Sequence, residues 1–131
     1  MTNSRNFDIA HWAARLVTVG ILAMGSLPKF TGGSAALADK LPGGATSVLI
    51  IGAVEVIAIV LILVPRTTMI GSAVAAVVML GAVASHVVGP VGMEGDMGTM
   101  FFMALIAALS ALAATWMAWK KRTTAMVTSA A

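Results

Sequence analysis

The side chains able to do chemistry in this otherwise apolar sequence are Arg15, Lys29, Glu55 and His86, with His11 nearer the N-terminus. Glu55 stands in the run Gly52-Ala-Val-Glu-Val-Ile-Ala-Ile-Val-Leu-Ile-Leu-Val-Pro-Arg66, eleven positions from Gly44 and eleven from Arg66. At about 1.5 Å rise per residue, either distance is roughly 16 Å, half of a hydrocarbon core of about 30 Å. A helix spanning here puts a carboxyl near the midplane, where insertion costs about 2.5–3.5 kcal/mol. Such groups turn to the bundle interior and mark proton relays, ion or substrate pathways, or ligand counter-ions.

Partners for Glu55 come from one seam of the first span. Asp8, His11, Arg15 and Thr18 recur at spacings of three, four and three, and the series continues through Leu22 and Gly25 to Lys29. These residues share a helix face that lipid disfavours, so the face turns inward. Asp8, His11 and Lys29 read as headgroup-level residues that snorkel. Arg15 lies about 9 Å inside and Glu55 about 16 Å from the same side. An extended arginine spans most of that difference between helices packed 8–10 Å apart. The depths predict a direct Arg15–Glu55 ion pair, with intervening water or backbone groups as the alternative.

His86 reads either as a hydrogen-bonded structural residue or as a ligand in a polar site made of Arg15, Glu55, His86 and Lys29. His11 falls near the opposite end of the bundle, so the two histidines make no bis-His haem site. The chain has no cysteine, which excludes disulfides, thiol catalysis and thiolate metal sites. Its methionines are spread over several helices and loops and read as flexible packing, not as a copper site. Glu94 and Asp96 lack EF-hand spacing and read as solvated loop charges. No metal site and no catalytic motif emerges.

The elements that position these residues follow from composition and breakers. Sixty per cent of residues are hydrophobic and 10% charged, with mean hydropathy +1.00. Soluble domains average about 45–50% apolar and 25% charged, so the chain reads as an integral membrane protein in contact with the lipid bilayer. A net charge of +3 without interleaved aromatics excludes nucleic acid as a partner. The pattern predicts an all-α four-helix bundle forming a single domain over 1–131. Its spans fall at about 8–27, 45–64, 68–88 and 99–119, with a short interfacial helix at about 34–41 capped by Ser34.

Pro28 marks the end of the first span, because proline disfavours helix in the residue before it. The span is expected to be retained, not cleaved as a signal peptide. Pro65 ends the second span, and the short turn makes the second and third spans antiparallel neighbours. Gly52 and Ala58 flank Glu55 with small residues. Gly81, Ser85 and Gly89, and Ala104, Ala108, Ala111 and Thr115, form ridges suited to close helix packing. Trp116 and Trp119 beside Lys120, Lys121 and Arg122 make an aromatic belt over a basic anchor. Residues before Asp8 are expected to fray and those after Arg122 to be disordered. The excess of Lys and Arg on the side of Arg5, Arg66 and Lys120–Arg122 predicts both termini cytoplasmic.

The run Arg15-Leu-Val-Thr-Val-Gly-Ile-Leu-Ala-Met-Gly-Ser-Leu-Pro-Lys-Phe-Thr-Gly32, the Gly52-x-x-Glu55 leading to Leu61-Ile-Leu-Val-Pro-Arg66, and a third span ending in His86 resemble the DoxX-like family. The likeness covers the first three spans and the spacing of the fourth. It implies a small four-helix protein of the bacterial inner membrane. It also implies an accessory role in a quinone-linked redox complex, with quinone as the cofactor. Other membrane subunits, or further copies of the chain, are the partners it implies. The missing cysteines exclude a thiol relay. Beside this stand two other readings: a structural subunit packing against a larger membrane complex, and a small proton-coupled transporter using Glu55.

Overall fold

The structure, a computed structural model, describes residues 2–130, with side chains from 3 onward. Five helices follow one another: α1 (Thr2–Thr31), α2 (Ala35–Lys40), α3 (Gly44–Leu63), α4 (Thr68–Val87) and α5 (Asp96–Ala130). Helices α1, α3, α4 and α5 are each long and apolar enough to cross a membrane. At about 1.5 Å per residue α3 and α4 match a 30 Å core, while α1 and α5 overshoot it.

Both overshoots differ from the sequence expectation, for identifiable reasons. α5 runs on past Trp119 because no Gly or Pro follows Gly98 to stop it. Its distal hydroxyls fold back onto helix carbonyls, as Thr123 does onto Trp119 O at 3.0 Å. At the other terminus α1 is helical from Thr2, and Asp8 pairs with Lys121 of α5 while Phe7 packs on Trp116.

α1 also continues through Pro28. A proline in a span is tolerated where neighbouring side chains serve freed backbone groups. Pro28 takes the N–H from Met24 O, and in the same turn the Lys29 ammonium donates to Gly25 O at 2.7 Å. The helix stops instead at Gly32, whose φ of +81° lets Gly33 N donate to Pro28 O at 2.9 Å. That six-to-one bond is a Schellman-type ending. α2 forms as expected, but Ser34 makes no side-chain cap; only its carbonyl is engaged, by Leu37 N and Ala38 N.

The long helices pack in a ring, α1 beside α3, α3 beside α4, α4 beside α5 and α5 beside α1. α3 and α5 face diagonally without contact among the described residues. The core is built of small side chains: Ala58, Ala75, Ala76, Ala107, Ala108 and Ala111 are almost fully buried, with Leu22 and Ile62 filling between them. Helices in hydrocarbon gain little from apolar burial, so association rests on close packing, which small residues permit. The α5 ridge packs as expected. The α4 ridge does not: Gly81 and Gly89 are exposed, and α4 turns inward instead through Thr68, Gly71, Ser72, Ala75, Ala76 and Met79. Gly71 is required there, since a Cβ would stand 2.6 Å from Ile62 N. A second cluster, of Leu37, Val48, Val91 and Met97, closes the end of the bundle that carries α2.

Candidate functional site

Of the seam of α1, His11, Arg15, Thr18, Leu22 and Lys29 are buried, Gly25 is half-buried beside a buried Ser26, and Asp8 is exposed. What each meets differs from expectation. Glu55, 3% exposed on α3, is paired with Lys29 and not with Arg15. Lys29 Nζ lies 2.9 Å from Oε2, 3.1 Å from Oε1 and 2.7 Å from Gly25 O. Three acceptors match the three N–H groups of an ammonium. Lys29 is thus not a headgroup residue. It comes inward because Gly52 leaves room: a Cβ at Gly52 would stand 3.2 Å from Lys29 Cβ and from the Phe30 ring.

Arg15 serves a different end of α3. Its Nε and Nη2 donate to Ile62 O at 3.1 and 2.6 Å, and Nη2 also to Leu63 O at 3.1 Å. The last carbonyls of a helix have no partner within it and carry its negative dipole end. Arg15 caps them from the neighbouring helix, while Thr67 takes Leu61 O and Thr68 takes Ile62 O and Val64 O. Trp12 stacks beneath the guanidinium, with Arg15 Cζ 3.8 Å from the ring centroid. Ile62 is seven residues from Glu55, about 10 Å along α3, so backbone groups and not Glu55 receive Arg15.

His11 is buried rather than at a headgroup surface, and its Nε2 has no hydrogen-bond partner. Asp8, with an exposed side chain paired to Lys121, remains at the surface. Thr18 bonds Ala14 O and shares a 2.8 Å hydrogen bond with Ser110, tying α1 to α5.

His86 ends up facing the region of Lys29 and Glu55. All three line one cavity of about 650 Å³ at the α2 end, bounded by all five helices and by Val91. Arg15 is not among its lining residues. Five methionines are, namely Met24, Met79, Met97, Met100 and Met103. Methionine walls adapt to irregular shapes. No cluster of three or more His, Cys, Asp or Glu able to hold a metal exists among the described residues.

The His86 ring is fixed by Nδ1 against Ala82 O at 2.7 Å and by the Phe101 ring at 6.0 Å between centroids. Its Nε2 is buried and has no partner. The site is therefore a mostly apolar chamber with an internally neutralised ion pair on one wall and an unsatisfied imidazole nitrogen on another. Chambers of this size and polarity suit small organic ligands.

The Lys29 pairing and the methionine wall escaped the sequence reading. Lys29 shared the seam with Arg15, which was the available signal, but Pro28 placed it outside the span. Comparison with known protein families, with curated proteins and with solved structures found no match.

Proposed function

We propose that this chain is a multi-pass subunit of the bacterial inner membrane, accessory to a quinone-linked redox complex. In this reading the quinone ring enters the cavity at the α2 end, and the apolar tail follows the methionine-lined wall toward lipid. The observation that carries it is the chamber of about 650 Å³ shared by Lys29, Glu55 and His86. Its apolar lining and unpartnered His86 Nε2 fit a flat ring with oxygen functions at its edge. The ring would supply two-electron carrier chemistry. The protein's own part is to exclude water, hold the ring and meet one of its oxygens with His86.

Arg15 has no part in that contact; it secures α3 so that Glu55 and Gly52 keep their register. In this reading the two termini lie in the cytoplasm, from Arg5, Arg66 and Lys120–Arg122 at one end against Lys40, with Asp39, Glu94 and Asp96, at the other.

Titration of the purified protein in lipid nanodiscs with a short-chain benzoquinone tests the reading. Saturable binding that Glu55→Gln weakens is expected, as is binding of the corresponding quinol, a hydroxyl donor, that His86→Ala weakens. Absence of saturable binding, with unchanged quinone-dependent electron transfer in a host that needs the protein, overturns it.

A further inference from the structure

α3 and α4 touch backbone to backbone at one end and part toward the other. Gly71, Val78 and Ser85 recur every seven residues and so lie along one face of α4. At Gly71 that face packs on α3, where a Cβ would stand 2.6 Å from Ile62 N. At Val78 and Ser85 the same face lines the chamber of about 650 Å³. Val77 and Gly81, toward the outer edge of this face, line the chamber as well. Yet Val77 is 71% exposed, and Gly81 is exposed with nothing within 4 Å of a Cβ placed on it. Residues that line a chamber and also face outward mark an opening in its wall. The surroundings of this opening are apolar: Val77 and Val78 also border a groove of about 380 Å³, completed by Val54, Ala73 and Val74. Val77 is six residues from Gly71, and Gly71 packs at Ile62, so the antiparallel helices bring Val77 level with Glu55, near the bilayer midplane. The other exposed lining residues are Met24 on α1 and, at the α2 end, Gly33, Ala36, Asp96 and Thr99.

We infer that the chamber opens sideways into the bilayer between α3 and α4, and that the hydrocarbon tail of its ligand leaves there, past Val77 and Gly81 into the groove beside Val54 and Val74. The inference rests on the quinone-linked reading and adds to it the ligand class, a membrane-resident quinone with a long tail, and the place where the tail leaves the protein. A tail in this groove gains little over a tail in lipid, because both surroundings are equally apolar. The part played by the opening is steric. It admits the ring without the tail crossing water, and it lets a tail too long for the chamber stay in the bilayer. Gly81 then serves as a gap in the chamber wall, a small residue on α4 where no other helix of the chain packs.

Photolabelling in lipid nanodiscs tests the route on the unsubstituted protein. A long-chain quinone carrying a diazirine on its tail is expected to mark Val54, Val74 or Val77, read by mass spectrometry of the peptides. Excess short-chain benzoquinone competes for the chamber but not for the lipid-facing surface. It is expected to suppress those adducts and to spare adducts at Leu109, which is 61% exposed on α5. A variant gives the second readout. Gly81→Phe fills the gap, and the open space around its Cβ leaves the fold intact. Long-chain affinity is expected to fall roughly tenfold, the scale of an overpacked apolar contact, with short-chain affinity changed by less than about twofold. Groove adducts that short-chain quinone does not suppress, adducts on Met24 in their place, or unchanged long-chain affinity in Gly81→Phe overturn the inference. Short-chain binding then leaves the quinone-linked reading standing. Binding of neither quinone overturns both.

Discussion

Lys29 and Glu55 close on each other across the α1–α3 interface, Nζ to Oε2 at 2.9 Å, with side-chain exposures of 6% and 3%. Two charges that would each be costly in hydrocarbon are made tolerable by mutual contact and by Gly25 O. Removing one partner of such a pair leaves the other charge buried and alone, a loss typically of about 3–5 kcal/mol.

Lys29→Met is therefore expected to destabilise the bundle in detergent unfolding, and Glu55→Gln to do so by a smaller amount, since Lys29 keeps Gly25 O. The double variant should be milder than the sum of the two, because neither charge is then stranded. Strict additivity in this cycle would mean that the ion pair does not form.

The same cycle run on Arg15 and Glu55 should come out additive, within about 0.5 kcal/mol. Arg15→Gln alone should lose about 1.5–3 kcal/mol, the range for hydrogen bonds to a charged group. Its carbonyl partners Ile62 O and Leu63 O lie in the last turn of α3. The loss should appear as faster hydrogen exchange at the α3–α4 turn. Coupling of Arg15 to Glu55 beyond about 1 kcal/mol would contradict the geometry.

These two results also mark what the sequence could and could not reveal. Hydropathy and breakers located the four long apolar helices and the α3–α4 turn, though not the ends of α1 and α5. The inward seam of α1 was legible from its three-and-four spacing, and Glu55 from its isolation. The partner of Glu55 was not legible. Depth counted from helix ends depends on where the ends are, and α1 continues past Pro28, which moves Lys29 from the rim into the span. Arg15 found backbone carbonyls, and backbone groups carry no signal in a residue pattern. The convergence of His86 with Lys29 and Glu55 depends on which helices are neighbours around the ring, which spacing along one helix does not encode. The Gly81, Ser85 and Gly89 ridge shows the converse: a small-residue pattern that reads as close helix packing, of which Gly81 and Ser85 line the chamber instead.

Gly71 and Gly20 offer a matched pair of substitutions. A Cβ at Gly71 would meet Ile62 N at 2.6 Å and Leu61 C at 2.7 Å, both backbone atoms that cannot swing aside. Gly71→Ala is expected to destabilise by about 1–3 kcal/mol through overpacking at the α3–α4 contact. At Gly20 nothing lies within 4 Å, so Gly20→Ala should be neutral or stabilising by up to about 1 kcal/mol from helix propensity. Equal effects of the two, measured by thermal unfolding in one detergent, would show that α3 and α4 are not in this contact.

The orientation of the chain is open to a direct labelling test, helped by its lack of cysteine. Ser34 precedes α2 at one end of the bundle, and Ser129 lies at the far end of α5, beyond the basic Lys120–Arg122 group. Basic residues are retained on the cytoplasmic side, and this end also carries Arg5 and Arg66. Single cysteines at Ser34 and Ser129 should therefore react from opposite faces of intact inner-membrane vesicles, Ser129→Cys from the cytoplasmic one. A membrane-impermeant maleimide applied to right-side-out spheroplasts should label Ser34→Cys and spare Ser129→Cys. The reverse pattern would invert the topology and place the cavity at the cytoplasmic end. Labelling of both positions from one side would remove the four-span arrangement itself.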